Sequence, residues 1–250
     1  GVGENLQDHL QVRPSYQCHD VVTLNDIANS KLRSAIEFLR YQTTRQGALR
    51  NGVYRAGAFF SAGKGADPAW PNAQIHFGLV SFDRPHQPPH PFPGITLSAC
   101  ILRPQSRGRI SIASNDPLQA PSIQAGYLSA EADRNLAIDL VRKMREIASA
   151  QPMSKFIVEE HEPGRAMQSD AEILDWVRRR AGSIFHPVGT CAMGPQADAM
   201  AVVDHRLRVH GMTGLRVVDG SVMPRIVSGN TNAPIIMMAE KIADGMGSRH

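Results

Sequence analysis

Apolar side chains recur at two spacings in this sequence, helical in some stretches and alternating in others. In "SKLRSAIEFLRYQTTRQG", Leu32, Ile36 and Leu39 fall on one helical face, with Ser30 placed to cap the start and Gly47 near the stop. "SAEADRNLAIDLVRKMREIASA" carries the longest stripe, from Leu136 through Leu140, Val141 and Met144 to Ile147. "SDAEILDWVRRR" follows, where Ser169 and Glu172 fit a capping box. Strands are predicted at "AQIHFGLV", "GITLSACILR" and "GRISIAS", the last two separated by the turn-prone "PQSRG". Residues 10–18 also read as a strand, with Pro14 arguing for an edge or a bulge. The chain closes on a strand, "LRVVDGS", and a helix, "APIIMMAEKIADGM". Antiparallel strands in the middle and a strand–helix close suggest two layers of different kind, an α/β (α+β) protein.

With 250 residues, 42% of them hydrophobic, the chain can build one large core or two modest ones. It shows no apolar run of membrane-spanning length and no leader at its start. Cys18, Cys100 and Cys191 are odd in number and widely spaced, which argues against a disulfide framework and for a reducing, cytoplasmic setting. The net charge of +4 raises nucleic acid as a partner. Its one basic cluster, Arg178 to Arg180, sits at a predicted helix end, where cations suit the helix dipole, and no aromatics interleave it. Nucleic-acid binding is therefore not expected.

Candidate chemistry is sparse outside two places. "GVGENL" starts like a dinucleotide-binding glycine loop, but Leu6 stands at the third glycine, so it reads as a tight turn. No Walker loop or G-x-S-x-G elbow occurs. His186, Cys191, His205 and His210 match no zinc spacing, and no metal is expected. "FDRPHQPPHPFPG" holds five prolines and two histidines; it is a loop, and His86 and His90 read as surface residues. In "SIFHPVGTCAMG", His186 precedes a proline and a Gly-Thr turn, and catalyst, ligand and core histidine all stay open on these residues alone. Near the end, Gly-Asn-Thr-Asn leads into Pro234, which suits the first turn of a helix. That loop offers backbone N–H groups and a positive dipole end to an anion, beyond what one ordinary cap needs.

Four stretches taken together, "GVGENLQDHL", "FHPVGTCAMG", "LRVVDGSVMP" and "SGNTNAPIIMMAEKIAD", closely resemble the C-terminal half of the glucose–methanol–choline (GMC) oxidoreductases. The resemblance runs along essentially the whole chain. It is strongest to choline-dehydrogenase-like and aliphatic alcohol dehydrogenases. It implies FAD as cofactor and His186 as the active-site histidine, with Asn230 at the family's second catalytic position. It places Asp219 and Gly220 near the flavin ribityl-pyrophosphate. Thr231, Asn232 and Ala233 fall beside the flavin pyrimidine edge, and Asn5, Asp8 and His9 in the segment closing over the cofactor. By the same resemblance residues 1–9 form a lid of the flavin domain and 10–182 the substrate-binding domain. Residues 183–250 then hold the active-site loop and the returning strand and helix of the FAD-binding domain.

The chemistry implied is oxidation of a primary alcohol to an aldehyde, with the hydroxyl proton removed by a histidine and a hydride passed to flavin N5. Electrons would leave to a quinone or another carrier; an oxidase using oxygen is the alternative, as are a choline dehydrogenase and a hydroxynitrile lyase of the same fold. The family's glycine fingerprint lies ahead of the matched half. The chain is thus expected to be a fragment, poor at binding flavin alone, and a non-catalytic truncated product is a further alternative. Choline-oxidising relatives carry a glutamate where Gln11 stands here, and losing a counter-charge to a buried cation disfavours choline. His76 aligns with a wall of the substrate pocket, with packing against the sheet as an equal reading. Membrane association is not indicated.

Overall fold

The computed structural model describes residues 1–84 and 86–247; Pro85 and the last three residues of the expected 183–250 segment lie outside them. In chain order the elements are β1 (Leu10–Val12), β2 (Ser15–Cys18), α1 (Leu24–Ala28), α2 (Lys31–Thr44), β3 (Tyr54–Phe60), β4 (Ala73–Gly78) and β5 (Gly94–Ile101). Then follow β6 (Arg109–Ser111), β7 (Ser122–Gln124), α3 (Glu131–Ser149), β8 (Ile157–Glu162), α4 (Asp170–Arg180) and α5 (Asn232–Gly247). They belong to two compact units: Gly1–Leu10, Ile101–Arg134 and Ser183–His250 in one, Gln11–Cys100 and Asn135–Gly182 in the other.

The second unit is organised by β5, every residue of which is buried. β3, β4, β5 and β1 lie side by side in that order, and β2 also pairs with β5 and carries β8 on its other edge. The strand expected over residues 10–18 is two strands, both antiparallel to β5: Gln11 faces Cys100 and Val12 faces Ala99, then Ser15 faces Thr96. Arg13 and Pro14 form the break. Pro14 has no N–H to give the ladder, but its carbonyl still accepts from the Leu97 amide at 3.0 Å. In place of the expected edge or bulge, Pro14 lies at a break across which the register against β5 is unchanged.

Arginines of α3 and α4 reach the acidic side chains of β8. Leu140, Val141, Met144, Ile173 and Val177 are wholly enclosed. Arg145 of α3 pairs with Glu160, whose side chain is only 4% exposed, and Arg180 of α4 pairs with Glu162. Sequence patterning had no way to flag β8, because "IVEEHE" reads as a solvated acidic run until those two arginines arrive. Ser169 accepts from the Glu172 amide and Glu172 reaches back to the Ser169 N–H, so the expected capping box is present. α2 starts at the Ser30 cap as expected, yet its apolar face is open: Leu32 is 72% exposed and Leu39 63%.

In the first unit, β6 and β7 make a hairpin with Ile110 opposite Ile123. Two apolar clusters hold the rest: Val202, Val203, Leu207 and Val222, and separately Val188, Met223 and Ile226. Met238 of α5 packs on both. The stretch "LRVVDGS" does not become a ladder strand. It makes a single bridge, Arg208 with Arg216, before a 3-10 turn at Gly220–Val222, because no strand among the described residues lies along it. Apolar alternation supplies the side chains of a strand, whereas a ladder also needs a partner backbone. No helix among the described residues is long and apolar enough to cross a membrane.

Candidate active site

The N-terminal segment 3–9 runs beside the segment 184–190 in the first unit and brings its side chains to His186. Gly3 donates to the Thr190 carbonyl, Gln7 and Val188 exchange backbone hydrogen bonds, and Ile184 donates to the His9 carbonyl. The close approach explains Gly189, which sits at φ 99° with a Cβ position 2.4 Å from the Asn5 carbonyl oxygen. Only glycine fits there without displacing that backbone.

Asp8 is the hub. Its Oδ1 accepts the backbone N–H groups of His9 and His186, each at 2.9 Å, and its Oδ2 accepts the Tyr127 hydroxyl at 2.5 Å. One carboxylate therefore fixes the backbone of both histidines. Burial, reinforced by the Asp8 carboxylate, pushes the Tyr127 phenol up, so it stays a donor throughout the physiological range.

Above this hub the two imidazoles meet edge to face, with Nδ1 of His9 3.0 Å from Nδ1 of His186. The other His9 nitrogen, Nε2, lies 3.0 Å from the Leu102 carbonyl oxygen. A carbonyl only accepts, so His9 Nε2 carries a proton. His9 is fully enclosed, and its pKa is lowered to about 4 by burial and then by the charge of His186, so it is neutral and its Nδ1 is an acceptor. It follows that His186 Nδ1 carries the proton shared between the rings, and His186 Nε2 is left with the basic lone pair. Burial holds the His186 pKa below the ordinary value, with Asp8 opposing. This assignment puts the basic lone pair of His186 on Nε2, with burial disfavouring the charged ring.

Phe185, just before it, has φ 65° although it is 75% exposed. A bulky residue in the left-handed region costs on the order of 1–3 kcal/mol, and here it turns the chain so that the His186 N–H meets Asp8.

Asn5 and Gln7 latch the same segments to the chain beyond residue 223. Asn5 Nδ2 donates to the Gly189 and Pro224 carbonyls, Gln7 Nε2 donates to Pro224, and Gln7 Oε1 accepts the Ile226 N–H. Val188 shares its apolar cluster with Ile226 and Ile235, which brings the start of α5 alongside the His186 segment. Asn230 is exposed just ahead of that start. Thr231 is buried and its carbonyl accepts the Ile235 N–H, opening α5, and Asn232 and Ala233 are exposed in its first turn. Gly220 is buried where a Cβ would press on Ile235 at 3.0 Å. Asp219 is exposed and caps the 3-10 turn through Ser221.

The other expected site residues lie in the second unit. Gln11 is buried on β1. His76 is half-buried on β4, its ring 5.5 Å from that of Tyr54. Gln7 and Tyr127 were missed by sequence reasoning: Gln7 stood in a quoted motif without a role, and Tyr127 meets Asp8 across 119 positions, with no local signal. His90 is corrected. It was expected at the surface and is only 9% exposed, because its Nδ1 bonds Ser81 and its carbonyl takes amides from Asn25 and Asn29.

Together these features define an α/β protein in which two buried imidazoles, His9 and His186, share a hydrogen bond. The family model described as GMC oxidoreductase matches residues 104–239, more than half of the chain, and the chain belongs to that family. It is 42% identical over 246 residues to an oxygen-dependent choline dehydrogenase of Vibrio vulnificus (strain YJ016), covering 98% of this chain and 43% of that protein. An oxygen-dependent choline dehydrogenase of Staphylococcus aureus (strain JH9) is 39% identical over 98% of this chain and 42% of its own length. Among solved structures, pyridoxine 4-oxidase from Mesorbium loti superposes with a TM-score of 0.78 at 26% identity, over all of this chain and 44% of that one. An FAD-dependent oxidoreductase from Chaetomium thermophilum gives 0.85 at 25% identity, over all of this chain and 48% of that one. The chain thus spans less than half the length of these relatives.

Proposed function

We propose that this chain is the substrate-side part of an FAD-dependent alcohol oxidoreductase. The observation that carries the reading is the hydrogen-bond chain from the Leu102 carbonyl through His9 to His186, which leaves the basic lone pair on His186 Nε2. Nε2 takes the hydroxyl proton of the alcohol as the carbinol carbon gives up its hydride, so the two hydrogens leave as proton and hydride and an aldehyde remains. The imidazolium so formed keeps its Nδ1–H on His9 and is favoured by the Asp8 carboxylate beneath it. Asn230 cannot take the proton; its role is to hold the alcohol oxygen as negative charge grows on it.

FAD, when bound, supplies the hydride acceptor. The donor set present fits it: the exposed first turn of α5 and its dipole end suit an anionic ring edge, and the exposed Asp219 carboxylate suits a polyol hydroxyl. Asn5, Asp8 and His9 would support the cofactor indirectly by holding the segment over it. On the substrate side, an uncharged primary alcohol is favoured by the neutral Gln11, while the names of the curated relatives favour the cationic alcohol choline. A quinone or another carrier, or oxygen, then accepts the electrons.

The test is anaerobic mixing of the full-length protein with a panel of primary alcohols and choline, following flavin absorbance. Bleaching by the alcohols, faster than by choline, is expected. Cyanide release from a cyanohydrin without bleaching by any alcohol would contradict the reading.

A further inference from the structure

His90, buried against expectation, stands in a cluster that the alcohol chemistry does not use. Asp83, His90 and His161 bring one ligand atom each to within 4.8 Å of one another. His90 Nδ1 bonds Ser81 Oγ at 3.0 Å, which fixes its ring and directs Nε2 at Asp83. That Nε2 is buried and completes no hydrogen bond, although Asp83 Oδ1 lies 3.4 Å away. Two ligands about 2.0 Å from a tetrahedral metal are separated by roughly 3.3 Å, so His90 and Asp83 already stand at ligand spacing. The His161 ring meets that of His90 edge to face, at 4.5 Å between centroids, and Phe92 walls the pair, stacking on His90 and edge-on to His161.

Charge in the cluster also suits a cation. Arg180 reaches Asp83 at 3.1 Å, but it is gripped by Glu162 through two hydrogen bonds of 2.5 and 2.7 Å. Two carboxylates against one guanidinium leave one negative charge facing two imidazoles. Two nitrogens and one oxygen are a borderline set, suited to zinc-class ions and unsuited to magnesium or calcium, which prefer oxygen alone.

We propose that Asp83, His90 and His161 bind one zinc-class divalent cation, with a fourth position left to water, and that the ion ties the loop carrying Asp83 and His90 to β8. Ser81 acts as the outer partner that orients the His90 ring. The site lies within the second unit and is independent of the proposed alcohol oxidation.

Metal-free full-length protein titrated with Co²⁺ tests this directly. One equivalent should bind with the visible d–d bands of a low-symmetry, four-coordinate ion, and Zn²⁺ should abolish them and raise the thermal midpoint. Asp83→Asn and His161→Phe should each weaken Co²⁺ by about tenfold or more and remove the zinc-dependent midpoint shift. His86→Asn, on the same loop but exposed, should bind as the parent does. Both variants keep the Ser81–His90 contact, and urea melts without metal establish that each is folded. Absence of saturable Co²⁺ binding, or binding unchanged in both variants, overturns the site.

Discussion

Asp8 does more with one side chain than its position in a short motif suggests. It accepts the N–H groups of His9 and His186 and the Tyr127 hydroxyl, so it sets the backbone on which the imidazole relay rests. Tyr127→Phe removes the hydroxyl's hydrogen bond to the charged Asp8 together with its contact to Ser183, and should cost about 1.5–3 kcal/mol or more by urea melting. It leaves the His9–His186 contact in place, so the loss should appear in stability before it appears in the acid limb of the rate profile. A variant as stable as the parent would deny Asp8 its place as the hub.

His186 and Asn230 were expected as site residues through the family resemblance, and the surroundings of His186 were not legible at all. The tautomer of His186 depends on His9 and on the Leu102 carbonyl, 177 and 93 positions apart from the respective partners, and no local spacing encodes those contacts.

At the scale of elements, the helices with their own start signals were the readable part. Ser169 and Glu172 announced α4, and Ser30 announced α2, because caps are local chemistry. Ser169→Ala should cost about 1 kcal/mol in a denaturant melt; no change would mean that tertiary packing alone sets the start of α4. β8 shows the opposite case, since its Glu160 and Glu162 are tolerable only with arginines from α3 and α4. Arg145→Met should destabilise the protein by about 3–5 kcal/mol, because Glu160 is left buried and unpaired. Adding Glu160→Leu should recover much of that loss. Failure of the double variant to recover would show that the pair matters for geometry rather than charge. "LRVVDGS" was misread for a related reason: alternation is a property of one segment, and a ladder is a property of two.

For the molecule as a whole, the α/β class and the family were legible, since four ordered motifs spread across the chain carry them together. The division into two interleaved units was less so, because residues 101–134 join the terminal segments through contacts distant in sequence. The buried histidine pair also sets a stability window. His9 has a folded pKa near 4 against an unfolded value near 6.5, so its contribution is complete above pH 6.5 and is lost as pH falls toward 4. The loss is on the order of 3 kcal/mol. Melts of the full-length protein across that range should show it, and His9→Gln should flatten the slope. An equal slope in that variant would assign the acid sensitivity to other groups.

Whether His186 Nε2 is the base is decided by the rate of flavin reduction in full-length His186→Ala, mixed anaerobically with a primary alcohol at saturating concentration. The expected result is a fall of about 10²–10⁴-fold with FAD still bound, beside a parent enzyme whose acid limb lies below pH 6.5. Reduction within a few-fold of the parent rate, with the same acid limb, would contradict proton abstraction by this residue.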